Sequence, residues 1–322
     1  MRWAVVTGAS SGIGLEFAHQ LAERGYSVLM VSNQDNELVE WAEKIHEQYG
    51  VATIAHRLDL TDPNATDSII GVLRANSIVP EVLVNNAGIF DFKKVEELGR
   101  RRLNLYIDLH IRAVTMLSTE IAMMMATEAQ KGYILNMSSM SCWMPMPGIA
   151  MYSATKAYIR AFSRALRVEM KDYGVSVTVA CPGGIATSLF GLPEKWRKFA
   201  VRIGVLATPH TFVRRALRKM FRRKAQSING GLNRVSIVAV AMLPGWGRVM
   251  LNASGLTARV KRRIKESERR EDLHSDRSHR RHRQSDCRGS CDARCRAGDT
   301  RLPQSRQGTE CYHINLPPLN HA

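Results

Sequence analysis

Tyr152 and Lys156 stand four residues apart in a stretch with helical periodicity. That spacing puts both side chains on one helix face, with Cβ atoms about 5–6 Å apart. A tyrosine with an ordinary pKa of about 10 is a poor base at neutral pH. A nearby ammonium favours the phenolate, so the pair can work as a general acid/base. Two residues on any amphipathic helix share this spacing, and the pair gains meaning only from its surroundings. Ser138 and Ser139 end the apolar run that precedes the helix, with Ser139 thirteen residues before Tyr152. A hydroxyl at a strand's C-terminal end sits where open α/β sheets bind ligands. Far upstream, Thr7-Gly8-Ala9-Ser10-Ser11-Gly12-Ile13-Gly14 follows a first apolar run and opens a helix. Glycines there allow a tight turn and close approach to a pyrophosphate, and the helix N-terminus offers it N–H groups. A purely structural glycine turn is the plainer alternative.

The elements that must position these residues alternate along the first half of the chain. Short apolar runs at Trp3–Thr7, Ser27–Val31, Ala52–His56, Val82–Val84, Tyr133–Met137 and Val175–Ala180 read as strands. Helical patterns separate them, including a long Met-rich one over Leu103–Ala129 and another over Met151–Tyr173. Asp62-Pro63 reads as the N-cap and first residue of a helix. Strands alternating with helices imply βαβ units: an α/β Rossmann fold, a doubly wound parallel sheet with helices on both faces. A strongly basic helix over 209–224 and a short strand over 226–229 follow a glycine- and proline-rich stretch.

The ordered set Gly8/Gly12/Gly14, Asn85-Asn86-Ala87-Gly88, Ser139, Tyr152/Lys156 and Pro182-Gly183 resembles the short-chain dehydrogenase/reductase family over roughly residues 1–232. The resemblance implies a sheet of about seven strands and hydride transfer between NAD(P) and a carbonyl/alcohol pair. It implies that Tyr152 donates the proton and Ser139 hydrogen-bonds the carbonyl oxygen. Lys156 would lower the tyrosine pKa and hold the nicotinamide ribose. Cofactor contacts would come from Gly8, Ser10, Ser11, Gly12, Ile13, Gly14, Ser32, Asn33, Asn86, Ala87 and Gly88. Asn85 would mark the edge of that site. Asp59 with Leu60 would read the adenine, and Pro182, Gly183, Ile185 and Thr187 would lie by the nicotinamide. The family often has an asparagine in its long fourth helix that continues a proton relay; here that place holds His110, which titrates near 6.5 when unperturbed. A relay through His110 and a merely packed histidine are both open at this point. The segment around Tyr152 is similar to the branch with 17β-hydroxysteroid and very-long-chain 3-oxoacyl reductases.

Ser32-Asn33-Gln34 follows the second strand, where an acid would read a ribose 2′-OH and repel a 2′-phosphate. No acid is present, so NADP(H) is expected over NAD(H), which stays possible. Met140, Trp143, Met144, Met146, Leu189, Phe190, Leu192 and Trp196 suggest a hydrophobic ketone or alcohol substrate such as a steroid or 3-oxoacyl lipid. The rival class is a dinucleotide-binding regulator without catalysis, since a fold does not imply a function.

The formal charge is +17, with 46 Lys+Arg against 29 Asp+Glu. Such a body favours anionic partners. The basic helix beside the apolar 233–265 extension suggests peripheral contact with the inner face of a membrane. Nucleic-acid binding is not expected, because aromatics are not interleaved with the basic residues. No apolar run approaches the span of a bilayer. Met1-Arg2-Trp3 runs straight into a strand, which suggests a cytoplasmic protein with reduced thiols. Residues 266–322 are too polar to offset their ordering entropy and are expected to be disordered. Their Cys287, Cys291 and Cys295, with His274, His279 and His282, match no zinc spacing, so no metal is expected. A homodimer or homotetramer is implied by the family resemblance.

Overall fold

A computed structural model describes residues 1–128, 131–143, 148–183, 207–228 and 312–315. Seven parallel strands form the sheet: β1 (Trp3–Thr7), β2 (Ser27–Ser32), β3 (Thr53–Arg57), β4 (Val82–Asn85), β5 (Gly132–Met137), β6 (Val175–Cys181) and β7 (Gln226–Ile228). An eighth, β8 (Tyr312–Asn315), pairs antiparallel with β3. The order is β7-β6-β5-β4-β1-β2-β3-β8. The Rossmann expectation holds, and β8 covers the β3 edge with four residues of the stretch expected to lack structure.

The strands are almost wholly buried because helices cover both faces. One face packs Ala4, Val6, Val28 and Met30 against α1 (Gly12–Ala22), α2 (Asp35–Tyr49) and the basic helix α7 (Pro209–Phe221). The other packs Val5, Leu29, Leu83 and Ile134 against α3 (Ala65–Ala75), α5 (Ala113–Thr127) and α6 (Ala150–Glu169). Alternate residues of each strand thus serve opposite cores. Each large side chain removed from water contributes about 1.5–3 kcal/mol. Helix α7 buries Phe212, Val213, Leu217 and Met220 and turns Arg214, Arg218 and Arg222 outward. Its N-cap Thr208 accepts from the Thr211 N–H at 3.2 Å, with Pro209 beside it.

Three local expectations are corrected. Helix α3 starts at Ala65, because the Asp62 carboxylate accepts from the Asn64 N–H at 2.8 Å and shapes a turn instead of a cap. The long helix begins earlier, as α4 (Val95–Ile107), with a break at Gly99 where φ is 69°. It also contains one π-helical turn, Asp108–Arg112, before α5. His110 is the buried residue of this turn.

The strand order reverses between β1 and β4. Connections from β1 run one way through β2 to β3; those from β4 run the other way through β5 and β6. Loops leaving the C-terminal ends of β1 and β4 therefore diverge and leave a crevice, where ligands of such sheets bind.

Candidate active site

A cleft of about 420 Å³ opens over those strand ends. It is lined by the glycine loop (Gly8, Ser10, Ser11, Gly12, Ile13), by Ser32 and Asn33, by Asp59 and Leu60, and by Asn86, Ala87 and Gly88. Ser139, Tyr152, Lys156, Pro182 and Gly183 line its other end. Thus the residues just named, from seven separate stretches of sequence, meet in one cavity. Ile185 and Thr187 lie outside the described residues, as do Met144, Met146, Leu189, Phe190, Leu192 and Trp196. Met140 and Trp143 are described but do not line the cleft; the Trp143 ring instead lies 4.6 Å from the Arg160 guanidinium.

Backbone geometry builds the loop. Gly8 and Gly12 have φ of 65° and 57°, the left-handed region that a side chain disfavours. Gly14 is needed for a different reason: a Cβ there would stand 1.9 Å from the Gly8 carbonyl oxygen. Ser11 caps α1 without a side-chain hydrogen bond, so the N–H groups of the first turn face the cleft uncapped. Such a terminus suits a phosphate. Gly12 leaves open space in front of it, since an added Cβ would meet no atom within 4 Å. A dinucleotide therefore fits the cradle on steric and electrostatic grounds.

Thr7, quoted in the glycine motif without a role of its own, ties the two loops together. Its Oγ1 accepts from the N–H groups of Asn86 and Ala87 at 3.0 and 3.1 Å. Gly14 itself lies under the cleft wall and does not line it. Asn85 is also displaced from its expected place: it is buried and faces away. Its Nδ2 donates to Ser118 Oγ at 3.0 Å and Asn136 Oδ1 at 2.9 Å, inside a polar network between β4, β5 and α5. Leu105 and Leu109 line the cleft from the far side and were missed, because nothing in a helical pattern says which turn faces a ligand.

The end of the cleft beside β2 is a chain of neutral polar groups. Ser10 Oγ donates to Gln34 Oε1 at 2.6 Å and lies 2.9 Å from Ser32 Oγ. Ser32 Oγ in turn accepts from the Gln34 N–H at 3.2 Å. Asp59 is the one carboxylate among the described lining residues. Its Oδ1 already accepts from the Thr61 N–H and hydroxyl, at 2.9 and 2.8 Å.

At the other end, Tyr152 hydrogen-bonds Ser139. Phe90 packs edge-on against the Tyr152 ring, with centroids 4.9 Å apart. Burial raises the Tyr152 pKa above its usual value, and the Ser139 contact only partly opposes it. The phenol is therefore kept protonated, against the expectation that Lys156 would lower it. Lys156 is 4% exposed, and its Nζ donates to the Met137 carbonyl at 2.9 Å, 5.7 Å from the Tyr152 ring centre. Burial brings its own pKa down to about 8.

His110 is fully buried behind this pair. Its Nε2 accepts from the Ile89 N–H at 3.0 Å, which fixes that nitrogen as unprotonated. Its Nδ1 is 2.9 Å from Thr155 Oγ1, and that hydroxyl donates to the Tyr152 carbonyl at 3.1 Å. Nδ1 is then the donor. Burial first, then the Lys156 and Arg102 charges, hold the imidazole well below its usual pKa. Of the two readings left open by the sequence, this geometry favours the packed histidine: both nitrogens are engaged, and the ring stays neutral.

The family model described as short chain dehydrogenase matches residues 2–198. The chain belongs to this family. This short-chain dehydrogenase is 34% identical over 252 residues to the very-long-chain 3-oxoacyl-CoA reductase of Bos taurus, covering 76% of each chain. It is 33% identical over 221 residues to the enzyme of the same name from Pyricularia oryzae, covering 68% of this chain and 64% of that one. Among solved structures, a short-chain dehydrogenase from Sphingobium yanoikuyae in complex with NADPH superposes with a TM-score of 0.64 at 25% identity, over 76% of this chain and 97% of that one. A 7β-hydroxysteroid dehydrogenase shares the fold, with a TM-score of 0.67 at 24% identity over 82% of this chain and 96% of that one. The short-chain dehydrogenase is an oxidoreductase that acts on alcohol/ketone groups with a nicotinamide dinucleotide.

Proposed function

We propose that the protein reduces the ketone of a hydrophobic substrate, a 3-oxoacyl thioester in the first place, to the secondary alcohol, with NADPH as the preferred cofactor. The observation that carries this reading is the convergence of Ser139, Tyr152 and Lys156 on the cleft that the glycine loop opens. The named activity of the mammalian and fungal relatives supports the acyl class.

When bound, the reduced nicotinamide is the source of hydride. Tyr152, held as a phenol by burial, is suited to give its proton to the carbonyl oxygen. Ser139, in contact with the Tyr152 hydroxyl, supplies a second hydrogen bond to that oxygen as its charge develops. Lys156, fixed by the Met137 carbonyl, keeps a cation under the tyrosine and would hold the ribose. With its pKa near 8, that cation is lost as pH rises above neutrality, so reduction should slow through that range. His110 acts in this reading as a positioning residue: it ties the loop after β4 to α6 and so fixes Tyr152. The diphosphate would rest on Gly8–Gly14 and the α1 terminus. Preference for the 2′-phosphate is supported by the uncharged Ser10, Ser32 and Gln34 set, which has donors and no carboxylate to repel it.

Self-association through the α4–α5 face belongs to the same reading, supported by the exposed Ile107, Met116 and Met123. So does peripheral contact with an anionic membrane through the outward arginines of α7. No helix among the described residues is long and apolar enough to cross a bilayer. The deciding experiment is steady-state kinetics of NADPH and NADH oxidation with 3-oxoacyl thioesters of increasing chain length, steroid ketones and small ketones. Faster turnover with NADPH and long acyl chains is expected. Preference for NADH, or for small polar ketones, would overturn the finer reading.

A further inference from the structure

Two thiols meet directly behind Ser139, and neither has a part in the chemistry above. Strand β6 ends in the buried Cys181. The chain leaving β5 stays beside it: the Ser138 N–H donates to the Ala180 carbonyl at 2.8 Å, and the Met140 N–H to the Pro182 carbonyl at 2.9 Å. One short turn, Met140–Trp143, then doubles back, with the Cys142 N–H donating to the Ser139 carbonyl at 3.2 Å. This turn carries the Cys142 thiol onto the Cys181 thiol, and the two hydrogen-bond each other and Ser138. Gln226 Nε2 donates to Cys181 Sγ from the other side at 3.7 Å.

The two sulfurs differ in character. Cys142 is partly exposed, whereas Cys181 is buried. The hydrogen bond from Cys181, helped by Ser138 and by the charge of Arg160, holds the Cys142 thiol below its usual pKa. The same bond, together with burial, holds Cys181 well above its own. A reachable sulfur packed beside a buried one is the arrangement of an attacking and a resolving cysteine.

We propose that Cys142 and Cys181 are an oxidisable pair, which a hydroperoxide converts to a disulfide that reversibly suppresses turnover. The Cys142 thiol gives up its proton and its sulfur attacks the peroxide; the O–O bond breaks, an S–OH bond forms, and the leaving oxygen takes up that proton and departs as an alcohol or water. Cys181 then gives up its proton, its sulfur attacks the sulfenic sulfur, an S–S bond forms as the S–O bond breaks, and the departing hydroxide takes up that proton and leaves as water. Two thiols are oxidised and one peroxide is reduced. An S–S bond is about 2.0 Å long, so closing a hydrogen-bonded pair draws the turn toward β6. Ser139 lies three residues away on the same turn. A displacement of the order of an ångström at a reacting group slows turnover by roughly ten- to a hundred-fold. This last step rests on the role given to Ser139 under Proposed function.

The test treats the full chain with stoichiometric hydrogen peroxide, alkylates free thiols and maps tryptic peptides. Cys142 falls in the peptide spanning 132–156 and Cys181 in that spanning 172–195. The expected product is these two peptides cross-linked, released by dithiothreitol, with turnover falling at least ten-fold and recovering on reduction. Cys142→Ala should abolish both effects. Cys181→Ala should leave a sulfenic acid at 142 that dimedone traps. Separate alkylation of both peptides after peroxide would overturn the pair, as would cross-links to Cys287, Cys291, Cys295 or Cys311 instead. A disulfide that leaves turnover unchanged would overturn the suppression. The cross-link is read by mass alone, so its failure and a failure of the proposed reduction register separately.

Discussion

Replacing Lys156 with methionine should abolish turnover and yet make the cofactor-free protein more stable at neutral pH. Lys156 is 4% exposed, and burial holds its pKa at about 8 in place of its ordinary 10.5. Each tenfold change in proton affinity is about 1.36 kcal/mol, so keeping this ammonium charged costs the fold roughly 3 kcal/mol at neutral pH. Methionine has a similar length and no charge. Its one loss is the bond from Nζ to the Met137 carbonyl, a charged hydrogen bond that contributes about 1.5–3 kcal/mol. The net gain is up to about 1.5 kcal/mol, or up to roughly 6 °C in melting temperature for a domain of this size. The pH dependence has a definite sign. Between about pH 8 and 10.5 the folded protein binds fewer protons at this site than the unfolded chain does, so wild-type stability rises with pH in that window. The variant lacks this rise, and its advantage should shrink and then reverse. Thermal melts of both proteins across that range, without cofactor, provide the assay. A variant that is less stable at neutral pH, with a deficit that does not change as pH rises, would refute the reasoning.

Ser139→Ala should lower kcat about 10²- to 10³-fold while leaving the melting temperature nearly unchanged, and a loss below ten-fold would remove its role at the developing oxyanion. His110→Ala strands the Ile89 N–H, while the Thr155 hydroxyl keeps the Tyr152 carbonyl, and at about 1–3 kcal/mol for the unmet group it should lower stability and kcat together without altering the shape of the pH–rate profile. Loss of one limb of that profile would restore the relay. Gly14→Ala should destabilise by at least about 1–3 kcal/mol, because its Cβ would overlap the Gly8 carbonyl, whereas Gly71→Ala, in an open site inside α3, should stabilise by about 0.5–1 kcal/mol. Melting temperatures that move together would contradict the close-contact account of Gly14.

The parts of the site legible in the sequence were those whose geometry few residue types satisfy. A left-handed φ at Gly8 and Gly12 and the missing Cβ at Gly14 leave little choice but glycine. Four-residue spacing on a helix brings Tyr152 and Lys156 to one face whatever surrounds them. Register was less legible. Successive strand residues point to opposite faces, so Asn85 and Asn86 part company, one into the polar network and one into the cleft. The π turn at Asp108–Arg112 leaves no mark in composition, since its residues read as ordinary helix. His110 is the buried residue on that turn. Strand β8 draws on backbone hydrogen bonds to β3, which a polar segment can make without any apolar pattern. The Cys142–Cys181 contact spans 39 residues and depends on how the turn after β5 folds back, which no local spacing encodes.

The central claim is that Tyr152 protonates the oxygen of a ketone reduced in this cleft. Single-turnover reduction of a long-chain 3-oxoacyl thioester by NADPH, comparing wild type with Tyr152→Phe, tests it most directly. The phenylalanine keeps the ring packed against Phe90 and removes only the proton donor. The account predicts unchanged NADPH affinity with the reduction step slowed about 10²- to 10⁴-fold. Reduction at the wild-type rate by the phenylalanine variant would contradict it.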